Sequence, residues 1–238
     1  MTGTAINAAL LIAMTLIAHL GCPPISASQS NQLRWLLAGL ALYSGVSTLY
    51  GALEATRESP FRFLAIVFLA LLLGNLSGRL MGLQKQLNRL GTQFTKRFPS
   101  PRSLQNSARS WLSLGVVLAL NPMTLPAAIQ DGLGGRWQSL VVKSVLDAAT
   151  MLSFGRSLTW TGCGLIIVVI GVWQSFWSLS AHLTSGWLKS YGMFNAVLAE
   201  AALMVICAVP AIAGIRKASL ADLTPALPCA ALLAALWP

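Results

Sequence analysis

The chain has 238 residues, is 55% hydrophobic and only 9% charged, and carries a formal net charge of +10 with a mean hydropathy of +0.69. Soluble domains carry roughly 25% charged residues, so this chain cannot coat a water-facing surface of its own size, and lipid must be the solvent for much of it. The basic excess does not point to nucleic acid, because the charges lie in short connections between long apolar runs and form no stripe interleaved with base-stacking aromatics.

A membrane-crossing helix needs about 20 mostly apolar residues. Read on that scale, the sequence predicts an all-α, polytopic transmembrane helix bundle forming a single domain over 1–238. The spans are 3–20, 33–53, 61–83, 109–130, 138–155, 162–182, 193–215 and 221–237. The first resembles a signal peptide, with Ser26-Ala27-Ser28 as a false cleavage site. No Lys or Arg precedes its apolar core, however, and signal peptides open on a basic region, so a retained first span is expected. Thr4 and Asn7 give this span polar groups.

The third span carries Gly74, Gly78 and Gly82 four residues apart, as overlapping GxxxG patterns, with Asn75 beside them. Small residues at this spacing let helix backbones approach closely, within the chain or in a homo-oligomer. Next comes 83–98, where Leu83, Leu87, Leu90, Phe94 and Phe98 recur at helical spacing between basic and amide residues. That pattern predicts an interfacial helix with its basic face toward lipid headgroups, and a plain extension of the third span into water fits the same residues.

The basic connection 84–108 holds Lys85, Arg89, Lys96, Arg97 and Arg102 and no acid, which places it in the cytoplasm. Eight crossings then put Arg34, Arg156, Arg216 and Lys217 on the same side. Glu54, Arg57, Glu58, Arg62, Asp131, Arg136 and Lys189 fall opposite, and both termini lie outside the cytoplasm. Trp35, Trp111, Trp137, Trp160, Trp187 and Trp237 fall near span ends, as interfacial anchors do.

The region 119–150 is the most informative. Asn121-Pro122 and Pro126 sit inside the fourth span, where each proline removes an amide hydrogen and frees a carbonyl. In lipid a freed carbonyl needs protein or enclosed water to satisfy it, so a broken or kinked fourth helix facing the bundle interior is expected. A plain proline kink packed against its neighbours fits the same residues. Gln130-Asp131-Gly132 and then Gly134-Gly135 read as a turn. The fifth span follows with Lys143, Ser144 and Asp147. Lys143 and Asp147 are four apart and share one helix face. A lone charge at the bilayer centre costs at least about 2.5–3.5 kcal/mol, so an intramembrane pair is a functional candidate, with a structural salt bridge as its rival.

Farther on, Gln174 lies inside the sixth span and Glu200 inside the seventh, where it could partner Lys143 or carry protons. His19 and His182 lie near span ends. The four cysteines, Cys22, Cys163, Cys207 and Cys229, form no CxxC or Cys/His pattern, so no disulfide framework, metal site or cofactor is indicated. There is no serine elbow, HExxH or nucleotide loop, so no enzymatic role is expected.

Three motifs together, Asn121-Pro122-Met123, Ile129 through Leu133 and Lys143-Ser144-Val145-Leu146-Asp147, resemble the central motif of the bacterial domain-of-unknown-function 554 family (YqgA/YdfK-type integral membrane proteins), which reads approximately GPMAILGSIQDGL followed by KSILD. Gly3 through Asn7, Gly82 through Gly91, and Gly214 through Leu227 are similar to further family segments, so the resemblance covers essentially the whole chain. This sequence departs from the pattern at Asn121 and Pro126, where the family has Gly, at Arg79, where it has Glu, and at Ala201-Ala202, which replace a Gly pair. The resemblance implies a bacterial inner-membrane protein and supplies no activity.

Two functional readings follow from the residues. In the first, the protein is a secondary transporter or permease for a small solute or ion, with Asn121, Gln130, Asp131, Lys143 and Asp147 lining the path and Asn7, Gln174 and Glu200 as secondary candidates. Asp147 or Asp131 takes up the coupling proton or cation, and Lys143 is the counter-charge. In the second, a non-transporting membrane protein binds or regulates a partner through its basic cytoplasmic segment. A lipid-directed enzyme lacks a visible nucleophile–base arrangement.

Overall fold

The computed structural model describes residues 2–21, 26–56, 59–97, 115, 118–119, 121, 123–154, 158–216 and 219–237. Among these residues nine long helical segments are found, with no strand. They are α1 (Thr2–His19), α2 (Ala27–Glu54), α3 (Pro60–Met81), α4 (Leu83–Arg97), α5 (Thr124–Gly134), α6 (Gln138–Phe154), α7 (Trp160–Ser190), α8 (Phe194–Ile212) and α9 (Ala226–Leu236), with a 3₁₀ turn over Leu220–Leu223.

Local chemistry sets several of these bounds. Ser26 begins α2 with a capping box: its hydroxyl accepts the Gln29 amide, and the Gln29 side chain accepts the Ser26 amide. The residues that resemble a cleavage site are thus a helix cap. Ser59 caps α3 ahead of Pro60, and Thr159 caps α7. Gly82 closes α3 at φ +66°, a left-handed conformation that glycine adopts without penalty, and α4 starts on the next residue.

Five helices, in α1, α2, α3, α7 and α8, are long and apolar enough to cross a membrane. Their outer faces present large apolar side chains, among them Leu36, Tyr43, Leu72, Val172 and Phe176, while Lys143, Gln174 and Glu200 are buried. A surface of this kind suits lipid. The other three expected spans look different. Within 109–130 the described residues are few before α5, whose 11 residues extend about 16 Å. That is too short to cross alone. α6 has 17 residues, and the last segment divides into the 3₁₀ turn and α9.

The main helix pairs are α2 with α8, α1 with α6, α5 with α7, and α3 with α9. α1 and α6 run parallel, since Gly3 abuts Leu140 and Asn7 reaches Asp147. α1 runs against α7, since Asn7 meets Gln174 while His19 stacks on Trp160. Glycines permit the tightest approaches. A Cβ at Gly74 would overlap the backbone of Ala226 in α9, and one at Gly78 would overlap the Asp222 carbonyl. These two glycines of the GxxxG run therefore face neighbours within the chain, and Gly82, the cap of α3, faces open space. A Cβ at Gly132 would likewise overlap the Ser178 carbonyl, so α5 and α7 touch backbone to backbone.

The expected helix over 83–98 is present as α4. Its start is held by the 3₁₀ turn: the Gln84 amide donates to Asp222 Oδ1 (2.8 Å), and the Gln84 side chain accepts the Ala221 amide (3.1 Å). Of its basic residues, Lys85 and Arg89 are exposed. The side chains of Lys96 and Arg97, together with Phe98, Arg102, Trp111 and Arg156, lie outside the described residues.

Candidate functional site

The parallel packing of α1 on α6 and the antiparallel packing of α1 on α7 bring three polar faces together. On α6, Ser139, Lys143 and Asp147 follow one another at four-residue spacing and all are buried, with Lys143 0% and Asp147 2% exposed. Lys143 Nζ donates to Asp147 Oδ2 in a direct ion pair. From α1, the Asn7 amide donates to the same carboxylate oxygen (3.5 Å) and to Gln174 Oε1 of α7 (2.8 Å). Three helices thus supply one enclosed group. Gln174 lies near the midpoint of a 31-residue helix, which places the cluster about 20 Å from either end of α7.

α5 supplies a neighbouring layer. Ser139 donates to Gln130 Oε1 (2.6 Å) and, having one hydroxyl hydrogen, accepts from Ser44 of α2 (2.7 Å). Asp131 accepts the Gly3 amide (3.3 Å) and the Ser178 hydroxyl (3.2 Å). A carboxylate at the first turn of α1 meets the free amides and positive end of that helix's dipole.

Several buried polar atoms of these helices have no hydrogen-bond partner: Asn7 Oδ1 and Gln174 Nε2 at the pair, and Gln130 Nε2 and Thr124 Oγ1 on α5. Glu200 on α8 is completely buried, and neither of its carboxyl oxygens has a partner. It does not pair with Lys143, whose salt bridge goes to Asp147.

The structure therefore assembles Asn7, Lys143, Asp147 and Gln174 into one contact group, with Gln130 and Asp131 in the adjoining layer. Asn121 is placed outside this group, and two expectations about its surroundings are corrected. The Asn121 side chain accepts the Met123 amide (3.1 Å) and its carbonyl the Thr124 amide (2.8 Å), so it shapes the entry to α5. Pro126 frees no carbonyl, because it stands in the first turn of α5, where helices have no use for an amide hydrogen. Gln130, Asp131 and Gly132 belong to helix, and the turn begins only at Gly135, at φ +64°.

The partners missed from the sequence are Ser44, Ser139, Ser178 and the Gly3 amide. Ser139 and Ser178 carry a readable signal, since each lies four residues from Lys143 or Gln174 on the same helix face. Nothing local distinguishes Ser44 from an ordinary serine in a span.

Residues 2–235 match the model of a family described as "Protein of unknown function (DUF554)". No curated protein and no solved structure matches the chain.

Proposed function

We propose, from the premise that the chain belongs to the DUF554 family, that it is a secondary transporter or permease for a small solute or ion whose path passes the Lys143–Asp147 pair. The observation that carries this reading is the surplus of hydrogen-bonding groups around a neutralised pair. A structural salt bridge needs only its two members. Yet Asn7 Oδ1 and Gln174 Nε2 beside it, and Gln130 Nε2 in the adjoining layer, are buried without a hydrogen-bond partner, and each such group is costly in a low-dielectric interior. Groups of that kind suit a passing ion, water or polar solute.

In this reading the enclosed pair is an occluded state. Asp147 or Asp131 receives the coupling proton or cation, Lys143 supplies the internal counter-charge, and Glu200 is a second proton-accepting candidate. The helix interruption supports it. Residues 118–119 are helical, Asn121 is not, and α5 begins at Thr124, so the fourth span is read as broken ahead of α5, which carries Gln130 and Asp131 to the site, as broken helices do in many transporters. Eight spans in the inner membrane, with both termini outside the cytoplasm, complete the proposal. The clustering of Arg34, Arg79 and Arg216 at one end favours that orientation.

The direct, fully enclosed contact of Lys143 with Asp147 favours a second reading, in which the pair only holds α1, α6 and α7 together. A screen of solute uptake and proton movement in liposomes separates the two. Transport by wild type and its loss in Asp147→Asn, with the variant still inserted, supports conduction. Full transport by Asp147→Asn assigns the pair to structure.

A further inference from the structure

A second polar feature lies apart from the Lys143 cluster, where α3 and α8 end and α4 and α9 begin. A cleft of about 280 Å³ opens there between Asn75 and Arg79 of α3, Pro210 and Arg216 at the close of α8, and Ser219 and Leu223 around the 3₁₀ turn. Pro210 builds one wall. Its carbonyl accepts the amides of Ile215 (3.0 Å) and Arg216 (3.3 Å), which turns the chain after α8 and sets Arg216 on the same cleft as Arg79.

Among the described residues, the cleft is lined by two basic side chains, Arg79 and Arg216, and by no acidic one. The guanidinium groups of Arg79 and Arg216 have no hydrogen-bond or ion-pair partner among the described residues. Arg34 adds a third guanidinium nearby, with its Nη1 3.6 Å from where a Cβ on Gly214 would sit. The acid of this corner, Asp222, is buried and accepts the Gln84 amide of α4. Two helices finish and two start here, so their dipoles offset and the arginines set the sign. Asn75 adds a buried amide oxygen with no partner. Rotation of that amide turns its NH₂ group to the same place.

We propose that this cleft binds a phosphate-bearing oxyanion between Arg79 and Arg216, with Asn75 and Ser219 as neutral hydrogen-bonding groups. A guanidinium presents its donors in a planar fork that matches phosphate oxygens two at a time, and the pair of forks on this cleft has no other partner among the described residues. The cleft lies at helix ends, beside the start of the basic helix α4, where basic pockets between membrane helices take phospholipid headgroups. A free phosphate offers the same oxygens, and the experiment distinguishes these sources.

The full-length protein, purified in a neutral detergent, is titrated with dioctanoyl phosphatidate, dioctanoyl phosphatidylcholine and inorganic phosphate, and binding is read by native mass spectrometry and by the shift in thermal unfolding. Phosphatidate binding in preference to phosphatidylcholine is expected, and Arg79→Gln with Arg216→Gln should weaken it about tenfold or more. Lys189→Gln, an exposed residue set over Phe194 at the start of α8 and so at the opposite end of that helix from the cleft, should leave it unchanged. Competition by inorganic phosphate assigns the site to the free ion, and its failure to compete assigns it to the lipid headgroup. Equal binding of phosphatidate and phosphatidylcholine by wild type, with no effect of inorganic phosphate, overturns the proposal whether or not the double variant folds. So does undiminished phosphatidate binding by a folded double variant.

Discussion

Asn7 and Asp147 stand 140 residues apart in sequence, and the amide of the first donates to the carboxylate of the second at 3.5 Å. Because the same amide donates to Gln174, α1 acts as the strut between α6 and α7. Asn7→Ala removes both bonds and leaves buried acceptors behind. The expected loss is about 1–3 kcal/mol, above the roughly 0.6 kcal/mol average for interhelical hydrogen bonds in membranes. Equilibrium unfolding in mixed micelles checks it. A variant as stable as wild type would mean that α1 is held by apolar contact alone.

The ion pair makes a sharper prediction through a double-mutant cycle. Lys143→Met strands the Asp147 carboxylate and should destabilise by about 3–5 kcal/mol, as should Asp147→Leu by stranding the lysine. The double variant Lys143→Met/Asp147→Leu should recover most of the wild-type stability, because two apolar side chains replace two mutually neutralising charges. Additive losses in the cycle would show that the two side chains do not interact.

Glycine substitutions test the close helix approaches. Gly78→Ala drives a methyl into the Asp222 carbonyl, a backbone atom that cannot swing aside, and should cost about 1–3 kcal/mol. Gly39→Ala in α2 meets open space and should be neutral or stabilising by up to about 1 kcal/mol. Thermal melts of the two variants should move in different directions, and equal shifts would argue against the α3–3₁₀ contact.

Asp222 fastens α4 to the bundle. Asp222→Ala removes the acceptor for the Gln84 amide and a negative charge at the helix start, a change of about 0.5–2 kcal/mol. Backbone amide exchange over 84–89 should accelerate roughly two- to thirtyfold, with little change in α7. Unchanged exchange would show that α4 is held by its leucines instead.

Much of this architecture was legible in the sequence, and the reasons differ by element. The five long apolar helices were readable because lipid demands unbroken stretches of apolar residues. Lys143 and Asp147 were readable because four-residue spacing fixes a shared helix face whatever surrounds it. The part of Asn121 was not readable, since an asparagine before a helix can point inward or accept its own downstream amide, and only the local turn decides. Pro126 misled for a related reason: a proline in the first turn and a proline in mid-helix look alike until the helix start is known. The union of Asn7, Asp147 and Gln174 rests on the relative direction of α1, α6 and α7, which no local pattern encodes. Glu200 stood out as a buried acid, but the lack of partners for its oxygens became visible only when its neighbours were in place.

The most direct test of the conduction path is flux through sealed proteoliposomes containing a pH-sensitive dye, comparing wild type with the double variant Lys143→Met/Asp147→Leu. That variant is expected to keep the fold while erasing the charges, and an unfolding measurement on the same preparation separates loss of flux from loss of structure. The account predicts solute-dependent or proton flux above protein-free liposomes for wild type and none for the variant. Flux through the variant equal to wild type would contradict it.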